Sequence, residues 1–60
     1  MSRKHFVALA RALRESLEVA DTPEARAAVI LTAERIASEC KGFNGSFDRG
    51  RFLRAAGCND

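Results

Sequence analysis

The stretch FNGSFDRGRF, residues 43–52, decides how this chain folds. It holds three of the four phenylalanines, spaced among two glycines, two arginines and one aspartate. Asp48 has the chemistry of a helix N-cap, because its carboxylate can accept from an otherwise unpaired first-turn N–H. It predicts a short third helix over 49–56, with Gly57 as the left-handed residue that ends it. Phe47 and Phe52 then stand at N′ and N4, the spacing of a hydrophobic staple. Asn44-Gly45-Ser46 is turn chemistry. Gly42 reads as the left-handed C′ residue of a preceding helix, which makes Phe43 the C″ residue that folds back near Ala37. On this reading the aromatic stretch is a clamp that closes a helical scaffold.

Upstream, Phe6, Leu9, Ala10, Leu13, Leu17 and Ala20 recur at three- and four-residue steps and predict an amphipathic helix over 3–20, capped by Ser2. The DTPE punctuation at 21–24 starts a second helix. Asp21 or Thr22 caps it, Pro23 sits at N1 where its missing donor is harmless, and Glu24 faces the positive helix end. That helix is predicted over 23–41. Val29, Ala33, Ile36, Ala37 and Cys40 form its main stripe, and Ala27, Ile30 and Leu31 widen it. One partner helix needs only about 100° of apolar surface, so the excess points to a second subunit. The expected fold is all-α, a single domain over 1–60: an antiparallel helical hairpin plus a short C-terminal third helix. A chain this short buries only about 60% of its unfolded surface, which makes self-association as a homo-oligomer the expected source of further stability.

The net charge of +2 conceals a segregation. Residues 1–14 carry +4, residues 15–40 carry −4 and residues 41–60 carry +2. The total is too small to imply nucleic acid by composition alone. No apolar run reaches membrane-spanning length and no secretory pattern opens the chain, so the expected setting is a cytoplasm, with Cys40 and Cys58 reduced and no membrane partner.

The opening SRKHF (Ser2 to Phe6) and the closing pattern of Phe43, Asn44, Phe47, Asp48, Arg51 and Phe52 resemble a group of small uncharacterised bacteriophage and prophage proteins. The likeness frames the chain at its two ends and leaves the middle uncovered. It implies expression in a bacterial host cell, and it carries over no catalytic or binding residue.

Two basic groups are the candidate sites. Arg3, Lys4, Arg11 and Arg14 place positive charge on the first helix, partly at its positive end, where the macrodipole disfavours it. An antiparallel second helix would compensate by bringing Glu39 near Arg3 or Lys4, and Arg26 near Glu15 or Glu18; an acidic partner such as a host protein would compensate equally. Arg49, Arg51 and Arg54, with the loop amides of Gly45 and Ser46, form the second group, suited to a phosphate or to nucleic acid. His5 falls opposite Cys40 in a hairpin, but nothing orients such a pair. Three scattered Cys/His positions also lack metal-ligand spacing. No catalytic residue, metal ligand or cofactor is therefore expected. The function read from the sequence is a non-enzymatic accessory protein that binds a host or phage macromolecule. A DNA-binding regulator using the third helix, or an oligomer sequestering a nucleotide-like anion, is the alternative.

Overall fold

The computed structural model describes residues 2–58, and its elements are three helices: α1 (Arg3–Val19), α2 (Pro23–Phe43) and α3 (Arg49–Ala55). Each helix packs against the other two. The short connection makes α1 and α2 antiparallel, so the start of α1 lies beside the end of α2 and beside α3.

Each boundary has a chemical cause. At α1 the Ser2 N–H donates to His5 Nδ1 at 3.0 Å, so an imidazole fills the place usually held by glutamate in a capping box. At the far end of α1, Arg26 Nη1 donates to the Leu17 carbonyl at 3.0 Å. Arg26 thus caps the negative pole of α1 directly, where pairing with Glu15 or Glu18 was expected. Of the two candidate caps for α2, Thr22 does the capping: its Oγ1 accepts from the Ala25 N–H at 3.0 Å.

The end of α2 differs from the sequence reading. The helix runs through Gly42 to Phe43, and the only glycine with positive φ is Gly57. Asn44, rather than Gly42, organises the exit. It leaves the helix in extended backbone (φ −143°, ψ 105°) with its N–H still bonded to the Cys40 carbonyl at 3.0 Å. Its side-chain Oδ1 takes the Ser46 N–H at 3.0 Å, and its carbonyl takes the Phe47 N–H at 2.9 Å. Lys41 Nζ adds a bond to the Gly45 carbonyl. An asparagine that satisfies the turn itself makes a left-handed glycine unnecessary. Phe43 consequently points outward, 77% exposed, and does not fold over Ala37.

This placement of Gly42 has a measurable consequence. A methyl group added there meets nothing within 4 Å. Gly42→Ala should therefore stabilise the protein by roughly 0.5–1 kcal/mol through helix propensity, whereas a left-handed Gly42 would make the same change destabilising. Urea denaturation followed by circular dichroism distinguishes the two signs.

The Schellman motif belongs to α3. Gly57, at φ 76°, donates its N–H to the Arg54 carbonyl at 3.0 Å, and the Cys58 N–H reaches the Leu53 carbonyl at 2.9 Å. Asp48 caps the start, accepting from the Arg51 N–H at 3.0 Å. The predicted staple is present: the Phe47 and Phe52 rings lie 5.4 Å apart, tilted by 54°. Phe6 of α1 joins them, 4.8 Å from Phe47. Phe47 is thus the middle ring of three and ties the loop to both α1 and α3.

The core mixes small and large side chains: Ala10, Ala33, Ala37, Cys40 and Ala56 cluster with Leu13, Phe47, Phe52 and Leu53. Ala33, Ala37 and Ala56 are wholly inaccessible, whereas the large core side chains of the described residues each keep a sliver of exposure. Alanines let the helix backbones approach closely, and the phenylalanine trio fills the end that this leaves open. Apolar surface is left over on α2, with Leu31 51% exposed. Among the described residues, no helix is long and apolar enough to cross a membrane.

Candidate binding groove

The clamp that closes the fold also shapes a groove. It runs between the first half of α1 and α3, with a volume of about 460 Å³. Phe6, Val7, Phe47 and Phe52 give it an apolar floor. Its rim is polar: Arg3 from α1, Ser46 from the loop, and Asp48 and Arg51 around the start of α3. Arg3 and Arg51, 48 positions apart in the chain, are brought to one site by the antiparallel hairpin and the aromatic clamp.

The expected basic patch on α1 divides into two faces. Arg3, Val7, Ala10 and Arg14 stand at i, i+4, i+7 and i+11 and therefore share one side of the helix. That side meets α3: Arg3 reaches the groove, while the Arg14 stem lies alongside Gly57, with Cγ 3.8 Å from where a methyl group on that glycine would sit. Lys4 and Arg11 share a different, exposed side that continues into Glu15 and Glu18. Arg11 and Arg14, three positions apart, are neighbours on the helix surface, so the two sides adjoin and all four cations are exposed.

The second basic group separates as well. Arg51 enters the groove. Arg49 lines an open depression with Glu34 and Glu39 of α2, so Glu39, expected near Arg3 or Lys4, borders α3. Arg54 folds back along its own helix: a methyl group on Gly50 would lie 3.5 Å from Arg54 Nη1 and 3.6 Å from Asp48 Oδ1. The cradle expected for a phosphate has other occupants. The Ser46 amide is taken by Asn44, and the Arg51 amide by the Asp48 carboxylate. Seven residues also make α3 only about 10 Å long, which is short for a helix reading a DNA groove.

Neither cysteine lies in the groove. Cys40 is buried in the core, and His5 is engaged by the α1 cap, so the hairpin does not assemble them into a reactive pair. Among the described residues, no three Cys, His, Asp or Glu side chains cluster as a metal site. Cys58 is half-buried as the C″ residue of the Schellman motif, and its thiol faces the Ala56 carbonyl at 3.7 Å. Burial, and then the negative charge of Glu34, push that thiol's pKa up. Iodoacetamide should therefore alkylate Cys58 more slowly near neutral pH than it does an unstructured cysteine peptide, with the rate climbing only at higher pH. Glu34→Gln should speed the reaction.

Chemically, the groove offers two guanidinium groups about an aromatic floor, with one carboxylate already committed to a helix cap. Such a site suits a ligand that couples negative charge to an apolar side chain. Comparison with protein families, with characterised proteins and with solved structures finds no match, so the groove's chemistry is read from its own geometry.

Proposed function

We propose that this is a non-enzymatic, phage-type accessory protein that acts by binding a host or phage macromolecule, holding an acidic segment with an apolar anchor in the α1–α3 groove. One observation carries the reading: Arg3 and Arg51 flank a floor of phenylalanines. The likeness to small phage proteins adds support. Arg3 and Phe6 of the opening motif meet Asn44, Phe47, Asp48 and Arg51 of the closing motif along this groove. Part of each motif thus lines the groove, while Ser2, Lys4, His5 and Phe43 lie outside it. A bacterial cytoplasm follows from the same reading.

The test is affinity capture from a bacterial lysate, with wild type compared with the Arg3→Ala/Arg51→Ala double variant. Both side chains are exposed, so the variant should keep its helical spectrum. Each lost charge-assisted contact should weaken the captured complex by roughly tenfold or more. Recovery of the same partner at the same strength by the double variant would refute the groove as the binding site. Salt-sensitive binding to a DNA duplex that depends on Arg49 and Arg54 instead would favour the regulator reading.

A further inference from the structure

We propose that the groove's occupant, when no other macromolecule fills it, is the exposed ridge of α2 from a second copy of this chain. The proposal rests on the groove reading above. Self-docking through this ridge would also cover the groove against other partners.

The ridge is defined by spacing. Glu24, Ala27 and Leu31 fall at i, i+3 and i+7 on the side of α2 turned away from buried Ala33 and Ala37, and Glu34, three positions past Leu31, stands at the ridge's edge toward α3, where it also lines the depression with Arg49. Leu31 is 51% exposed, a large aliphatic side chain half open to solvent. An apolar anchor with acids seven positions before it and three after it is the pattern of a helix laid into a groove. Arg35, four positions past Leu31, flanks the anchor on the opposite side from Glu34.

The charges match in sign and number. The ridge presents Glu24 and Glu34 with one cation, Arg35. The groove presents Arg3 and Arg51 with one carboxylate, Asp48. Seating Leu31 on the phenylalanine floor brings Glu34 toward an arginine of the rim and leaves Arg35 to face Asp48. The wider chain repeats this, since the groove walls come from the two basic segments and the ridge from the acidic middle. Two grooves placed face to face would instead bring like charges together.

The contact is modest in size. The chain exposes 4301 Å², and a standard interface uses about 800 Å² per partner, roughly a fifth of that surface. One helix ridge in one groove covers less, which makes the association weak and reversible. Ridge and groove are different patches, so the contact is heterologous and either closes reciprocally in a pair or continues to larger assemblies.

Sedimentation velocity over a wide concentration range, at low and high salt, reads this directly. Wild type should gain mass with concentration, and less so in high salt. Glu34→Arg and Arg51→Glu should each weaken association at least about tenfold, by placing like charges in contact. Mixing those two variants should restore a dimer, because the first keeps a native groove and the second a native ridge. Circular dichroism of each variant checks that these exposed changes leave the helices intact. A wild type that stays monomeric throughout, variants that associate as well as wild type, or a mixture that stays monomeric would each overturn the proposal. A monomeric wild type that still captures a macromolecule through Arg51 would leave the groove reading standing and remove only the self-docking.

Discussion

Phe47→Ala should abolish cooperative folding at room temperature. Truncating a buried phenylalanine costs about 3–5 kcal/mol, and a domain of this length has about 3–9 kcal/mol of stability to lose. Phe47 is 8% exposed and stands between the rings of Phe6 and Phe52, so its removal breaks both aromatic contacts at once. Each such pair is worth about 0.5–1.5 kcal/mol beyond its buried area. Phe43→Ala is the control. That ring is 77% exposed, and its loss should change stability by less than about 0.5 kcal/mol. Thermal denaturation of the two variants, followed at a helical wavelength, should show no sigmoidal transition for the first and a nearly unchanged one for the second.

The second large effect is expected in the opposite sense, from adding atoms. Ala37 is wholly inaccessible in the cluster where α2 meets its neighbours. Ala37→Leu must push helices apart or force strained rotamers, at about 1–3 kcal/mol. Ala27→Leu, on the exposed side of the same helix, adds the same atoms with similar helix propensity and should be close to neutral. Urea midpoints of this pair compare crowding with exposure on one helix. If both variants matched wild type, the close approach of the helices at Ala37 would be wrong.

Most of the scaffold could be read from local chemistry because the signals there act over a few residues. The spacing of Leu13 and Leu17, Pro23 behind Thr22, the Asp48 cap, the Phe47–Phe52 staple and Gly57 each specify a boundary through contacts within one or two turns. The end of α2 was less legible because two adjacent signals compete there. Gly42 invites a left-handed exit, while Asn44 satisfies the same backbone groups two residues later and wins. The third ring of the trio was also out of reach. Phe6 fits any apolar stripe, and only the packing of α1 on α3 brings it to Phe47.

The groove was legible only in parts. Arg3 and Arg51 each stood out as a member of a basic group, but each was grouped with its neighbours in sequence. A periodicity that places Arg3 with Val7, Ala10 and Arg14 was available for finding the α3-facing side. What the sequence could not supply was the pairing of that side with Arg51, since such a contact depends on tertiary packing rather than spacing. Arg54 and Arg49 illustrate the same limit. They look alike in sequence, yet one folds along its own helix and the other meets the acids of α2.

The central claim is that the aromatic tail holds up a helical hairpin too small to be stable unaided. Its most direct test is a chain ending after Asn44, which keeps α1 and α2 and removes Phe47, Phe52 and all of α3. Circular dichroism on heating should show this shortened chain with much of its helix signal lost and no cooperative melt, beside a full chain that melts sharply. A shortened chain with the same helicity per residue and the same melting midpoint would contradict the account.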